Sequence, residues 1–505
     1  MTGSHHDELV RLLREATVLA SACHLMSWDQ ETMMPPAAAP ARAEALALVS
    51  KLAHRRFIDP RIGERLAECE ADPALAADER MAANLREIRR DYDRARKLPA
   101  ELVAEMNRVG SQAVEAWKAA RRDRDYELFR PWLEKQIDLN RRKADCLGSP
   151  PGGGPYDALL EDYEPGMTAG RLDAIFAPLR SELVPLIEAI TATGYQPGRA
   201  PQELKIPRAL QHELSMTMMK RVGLDPRASR LDSSTHPFSS SIAPGDLRIT
   251  TRYRDDWFTD ALGSTLHEAG HALYEQGLPR DDWWGQPLGE PLGLGIHESQ
   301  SRLWENHVGR SRAFWEWALP VARGIIGPAL DPFTADDLYR SVNGVRPHPI
   351  RVESDEATYN LHVLLRFDLE RALLSGDLSC RDLPGAWNER MRSDLGLEVA
   401  HDGEGCLQDI HWAGGAVAYF PTYTLGSLYA AQFWEALRGE IDGLEGRLAR
   451  GEFGALREWL QEKIHAHGRR YPAEELCRRI TGRPLDHRAL IRHLQAKFTA
   501  IYDLS

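Results

Sequence analysis

Two histidines four residues apart, with a glutamate beside the first, constrain this chain more than any other feature: His267-Glu268-Ala269-Gly270-His271. Their side chains share a face only if the segment is α-helical, because 3.6 residues per turn stack position i on i+4. Two imidazoles so placed can hold one Zn²⁺, and Glu268 can then reach a water on that metal. Such a helix is the core of a metal-assisted hydrolase. Apolar Leu266, Ala269, Ala272 and Leu273 give it a buried side. Asp255 or Asp256 offers an N-cap, and Gly277 followed by Pro279 offers a stop. Without a metal, the same pattern reads as a buried helix carrying two hydrogen-bonded histidines.

A third ligand has to come from elsewhere. A loop rich in Gly, Pro and Trp, residues 279–295, precedes Ile296-His297-Glu298-Ser299-Gln300-Ser301-Arg302. That loop has room to reverse the chain, so a second helix can pack antiparallel on the first. Glu298 would then meet His267 and His271 and leave one position open for water. Glu290 and Glu305 are rivals that spacing does not exclude, although position within the segment favours Glu298.

On five blocks, in the family's order, the chain resembles the carboxypeptidase Taq family of zinc-type metallocarboxypeptidases. His236-Pro237-Phe238 matches H-P-F, and Asp246-Leu247-Arg248-Ile249-Thr250 matches D-x-R-x-T. The H-E-x-x-H is followed by His297-Glu298-Ser299, matching the H-E-S element whose Glu is the family's third metal ligand. Ile350-Arg351-Val352-Glu353-Ser354-Asp355 answers to I-R-x-x-A-D, with Ser354 where the pattern has Ala. Gly405-Cys406-Leu407-Gln408-Asp409-Ile410-His411-Trp412 fits G-x-x-Q-D-x-H-W. The run from Trp28-Asp29 to Met34-Pro35 is a weaker match.

The resemblance implies a mainly α, zincin-like metallopeptidase with a long substrate groove and a small β-element beside the metal helix. It implies a homodimer that hydrolyses the C-terminal bond of peptides with broad specificity. The ligands would be His267, His271 and Glu298. Zn²⁺ suits that donor set, and Co²⁺ or Mn²⁺ can also occupy it. Glu268 would take a proton from the attacking water and pass it to the leaving nitrogen. His411, and Tyr423 a short way beyond, are candidate donors to the developing oxyanion. Arg351 is the candidate reader of the substrate carboxylate, because a guanidinium pairs both oxygens. Apart from the family, Arg351 reads as a salt bridge to Glu353 or Asp355. His297 would orient a ligand or bond substrate, Asp355 or Asp409 would accept the outer N–H of a ligating histidine, and Asp246 and Arg248 would brace the groove.

Composition removes other classes. A net charge of −12, from 63 basic and 75 acidic residues, with no basic run interleaved with aromatics, argues against a nucleic-acid surface. The six cysteines form no C-x-x-C pair, as expected of a reduced cytoplasmic protein, and Cys406 reads as a packed thiol. No run approaches the length and apolarity of a membrane span, and the N-terminal segment is amphipathic rather than a signal.

Apolar positions recur at helical spacing through 7–22, 38–55, 76–97, 99–121, 126–146, 170–193, 201–222, 256–276, 296–317, 334–342 and 354–375, and again from Thr424. Residues 1–505 read as one catalytic unit, with an N-terminal helical part (1–147) and a catalytic part (156–505) whose motifs span 236–423. The Gly- and Pro-rich break Gly148–Pro155 is a linker or a loop within one fold. Leu247–Tyr253 is the best strand and would line one edge of a groove. Trp283-Trp284 would wall a pocket or pack at an interface. Two rival functions stand beside the carboxypeptidase. One is an oligopeptidase with the same chemistry cutting internal bonds; the other is a metal-free helical binding protein, against which the intact His267, Glu268, His271 and Glu298 speak.

Overall fold

A computed structural model describes residues 5–504. Helical periodicity becomes helix along most of the chain, and its departures have local causes. His5–Thr32 and Ala39–Phe57 form a hairpin, and Glu79–Lys97, Ala100–Asp123 and Arg130–Leu147 follow. Asp59, Asp72 and Asp78 each cap a helix by accepting a backbone N–H from its first turn. The helix expected over 201–222 begins only at Arg208. Pro207 keeps Ile206 out of helical conformation. The helix expected over 296–317 is three pieces: Gly293–Arg302, a π-helical segment Leu303–Gly309, and Arg312–Ile326, restarted by the Ser311 side chain on the Phe314 N–H. Pro60–Ala71 and Leu383–Leu395 are helices beyond those expected.

Strands β1 (Ser229–Ser233), β2 (Ser239–Ala243) and β3 (Asp246–Thr251) form one sheet in the order β1-β3-β2. β3 runs parallel to β1, with Leu231 opposite Ile249, and antiparallel to β2, with Ser239 opposite Ile249. The expected strand ends at Thr251, whose hydroxyl lies 2.6 Å from Ser264 Oγ and so ties the sheet to the H-E-x-x-H helix, Phe258–Gly277. That helix starts after Trp257, and neither Asp255 nor Asp256 caps it.

A single apolar core takes residues from both sides of Gly148–Pro155, from Ala113 and Leu147 to Tyr156, Leu266 and Tyr502. The N-terminal hairpin contributes to a smaller cluster of its own, in which Leu9, Leu12 and Leu13 meet Ile62, Leu66 and Tyr92. It is pinned to the sheet by Trp28, whose ring lies under Arg230 and Arg248 at 4.9 and 4.3 Å. Trp283 and Trp284, beyond the H-E-x-x-H helix, receive Arg80 of Glu79–Lys97 and Arg14 of the hairpin at 5.4 and 5.3 Å. All six cysteines are free, and Cys406 is buried. No helix among the described residues is long and apolar enough to cross a membrane.

Candidate active site

The helix Phe258–Gly277 packs against Gly293–Arg302 in the antiparallel sense. His271 meets His297, Gly270 meets Gln300 and Ser301, and His267 meets Glu305. A third helix, Pro421–Glu440, lies along Gly293–Arg302 and sets Gly426 against Glu298. This packing brings His267, His271 and Glu298 together, with one donor atom of each within 4.8 Å of the others. Glu298 Oε2 is 3.3 Å from His271 Nε2 and 3.7 Å from His267 Nε2. The rivals stand elsewhere. Glu305 is on the far nitrogen of His267, 2.9 Å from Nδ1, and Glu290 lies 3.6 Å from Arg280.

Each imidazole has its outer nitrogen engaged. His271 Nδ1 is 3.1 Å from the carbonyl of His297 and 2.6 Å from His297 Nδ1, while His297 Nε2 reaches Glu275 at 2.9 Å. His297 therefore braces a histidine of the group. Glu275 in turn pairs with Arg280. Although burial works against it, His297 and Arg280 hold Glu275 down to about 2. Asp355 and Asp409 do not serve the outer nitrogens, contrary to expectation. Asp355 is taken by the N–H groups of Arg346, Ala357 and Thr358, and Asp409 by two arginines. The nearer acceptors come from the segment packed directly on the H-E-x-x-H helix.

With both Nδ1 atoms turned outward, the two Nε2 atoms face a carboxylate oxygen. Two imidazoles with one carboxylate at such separations suit a divalent metal. Burial and then His297 lower His271 to about 4, so it offers a neutral ring. For His267, burial is outweighed by Glu298 and Glu305, which lift it to about 9. Glu298 is buried, yet Arg302 and His267 hold it far below the ordinary carboxylate range. Its other oxygen accepts from Arg302 Nε at 2.7 Å.

A second cluster adjoins the first. Arg351 is not paired with Glu353 or Asp355. Its side chain turns inward, where Nε and Nη2 reach Asp409 Oδ1 at 3.1 and 2.7 Å and Nη1 donates to Tyr359 Oη at 3.0 Å. Glu353 faces outward to Arg254. Arg366 takes the other Asp409 oxygen at 2.7 Å. The Arg351 guanidinium lies 5.0 Å from the Tyr423 ring, and Tyr423 Oη is 3.1 Å from His411 Nε2. Arg351, His411 and Tyr423 thus form one continuous wall. Tyr423 is three residues before Gly426, one turn along the helix face that covers Glu298.

A family model described as carboxypeptidase Taq (M32) metallopeptidase matches residues 8–498. The chain belongs to that family. It is 44% identical to thermostable carboxypeptidase 1 of Thermus thermophilus over 98% of this chain and 99% of that protein. It is 35% identical to carboxypeptidase 1 of Bacillus subtilis over 99% of each. The M32 carboxypeptidase from Deinococcus radiodurans R1 superposes with a TM-score of 0.95 at 38% identity, covering 99% of this chain and 100% of that one. The protein is a metallocarboxypeptidase, and its mainly helical fold is the one expected. A metallopeptidase works with a divalent metal, and the His-His-Glu group is the candidate place for it.

Several groups around this M32 site escaped the sequence reading. Arg302 was within reach of it, since Glu298 and Arg302 are an i,i+4 pair of opposite charge. Tyr359, which holds Arg351 and stacks under Arg302 at 4.3 Å, has no signal beyond its own aromaticity. Glu164 is another. Its carboxyl accepts the Gly295 N–H in the first turn of the helix that carries Glu298. Burial pushes Glu164 up to about 8, against an ordinary value of 4.5. The folded protein keeps this proton while the unfolded chain loses it, so stability falls as pH rises from about 4.5 to about 8. Glu164→Gln keeps the acceptor and removes the titration. Melting curves at pH 5 and pH 8 are expected to show a smaller loss for the variant; equal losses would rule Glu164 out as a source.

Proposed function

We propose that this metallocarboxypeptidase releases residues one at a time from the free C-terminus of peptides, with Glu268 as general base and Zn²⁺ held by His267, His271 and Glu298. When bound, the metal supplies Lewis-acid chemistry: it acidifies water and polarises a carbonyl. The protein's own groups do the rest. Glu268 accepts the proton of the attacking water and returns it to the leaving nitrogen. Its buried carboxylate accepts no hydrogen bond from the described residues, which leaves it free for that exchange. Tyr423, in contact with His411, donates to the carbonyl oxygen as charge develops there. His297 keeps the His271 ring in place.

One observation carries the choice of a C-terminal substrate: two buried guanidinium groups, Arg351 and Arg366, share the single carboxylate of Asp409. The surplus positive charge calls for an anion, and Arg351, beside Tyr423, is the group in position to take one. These groups address a carboxylate and a carbonyl rather than a side chain, which supports broad specificity. A homodimer fits the N-terminal hairpin, where Val18, Leu25, Leu48 and Leu52 are exposed and helix Ala39–Phe57 has no buried residue. Six free cysteines fit a reducing, cytoplasmic setting.

The test offers one peptide with a free and an amidated C-terminus to wild type and Arg351→Gln. Wild type should release residues stepwise from the free acid and ignore the amide. Arg351→Gln should lose about tenfold to hundredfold in kcat/KM, the worth of one charge-assisted contact of about 1.5–3 kcal/mol. Its fold should survive, because Arg366 still neutralises Asp409. Internal cleavage of both peptides would replace this reading with an oligopeptidase.

A further inference from the structure

We infer that Glu305 is a positioning residue: its carboxylate fixes the proton and the orientation of His267, and through them how tightly the site takes a metal. This rests on the reading of His267, His271 and Glu298 as the ligand set. Glu305 lies seven residues beyond Glu298, and the two glutamates bracket a single imidazole. Glu298 faces Nε2 and Glu305 faces Nδ1, at 3.7 and 2.9 Å.

Glu305 is itself clamped at both oxygens. Arg302 Nη1 reaches Oε2 at 3.3 Å and Arg310 Nη2 reaches Oε1 at 3.2 Å. Arg302 also holds Glu298, so one guanidinium sets the spacing of both carboxylates around the ring. The segment carrying Glu305, Leu303–Gly309, is π-helical, a rare backbone that concentrates at functional sites. His271 differs, because its outer nitrogen meets the backbone carbonyl and the ring of His297 rather than a carboxylate. Of the two ligand histidines, only His267 has an anionic partner on its outer nitrogen among the described residues. That partner selects the tautomer with the proton on Nδ1, keeps the Nε2 lone pair aimed at the metal position, and makes the ring a stronger donor.

The experiment strips the protein with chelator and titrates Co²⁺ into wild type, Glu305→Gln, Glu305→Ala, Glu305→Asp and Glu298→Gln. Affinity, visible absorption and the melting midpoint of the metal-free protein are followed. Glu305→Gln keeps an acceptor but loses the charge, and Glu305→Ala loses both. Their affinities should fall about tenfold and up to about a hundredfold, with an altered Co²⁺ band and partial recovery in Glu305→Asp. A change confined to the melting midpoint, with Glu305→Gln and Glu305→Ala binding Co²⁺ as wild type does, would make Glu305 a structural ion pair and overturn the inference alone. Wild type that takes up no Co²⁺, or Glu298→Gln that binds as tightly as wild type, would overturn the ligand set and the inference with it.

Discussion

Glu268→Gln is expected to lower turnover by about a hundredfold to ten-thousandfold, the range for loss of a general base, while metal uptake stays intact. The side chain keeps its shape and loses only the ability to accept a proton. Glu268 is 6% exposed, and burial pushes it up to about 7, with Glu298 and Glu305 adding to the rise and His267 opposing it. A cation in front of it would draw that value down again, so the acid limb of kcat/KM in the loaded enzyme should fall below pH 7. Metal uptake should survive because the donor atoms of His267, His271 and Glu298 converge without Glu268. Single-turnover release and Co²⁺ stoichiometry, measured on the same preparations, decide the matter. A variant that holds its metal and turns over within about threefold of wild type would move the base to another residue.

The parts of this site that were legible in the sequence are those set by local geometry. An i,i+4 pair of histidines needs only a helix to share a face, and the hydrophobic positions around His267 supplied one. Glu298 follows a loop of reversal length, so an antiparallel partner brings it back to those histidines. The parts that stayed hidden depend on where distant segments meet. Asp409 is 58 residues from Arg351, and nothing in either block says that Arg366 completes the cluster. Asp355, four residues from a proposed substrate group, is offered as a partner by spacing and is spent on backbone N–H groups. Glu305 was visible only as a rival ligand, because a π-helical segment has no periodic signature to show which nitrogen of His267 its carboxylate will meet. The N-cap expected at Asp255 or Asp256 failed because the packing of Phe258 and Ala261 into the core, not a side-chain bond, fixes where the helix begins.

Glycines carry the rest, and a pair of them on one helix gives opposite expectations. Gly263 and Gly270 lie seven residues apart on Phe258–Gly277. A methyl group at Gly263 meets nothing within 4 Å, so Gly263→Ala should stabilise the protein by about 0.5–1 kcal/mol through backbone entropy. At Gly270 the same methyl would lie 2.5 Å from Gln300 O and 2.7 Å from Ser301 Cα. Those are backbone atoms and cannot turn aside as a side chain can. The helix Gly293–Arg302 would have to retreat, yet its opposite side is closed by Gly426, where a Cβ would already lie 2.5 Å from Glu298 Cβ. Gly270→Ala should therefore cost about 1–3 kcal/mol or more in stability. It should also weaken Co²⁺ binding, because Gln300 and Ser301 move with Glu298 on one turn of helix. Denaturant midpoints and Co²⁺ titrations of both variants test this directly. Gly270→Ala with an unchanged midpoint and unchanged metal affinity would mean that the two helices have slack at their crossing, and that something other than their close approach sets the position of Glu298.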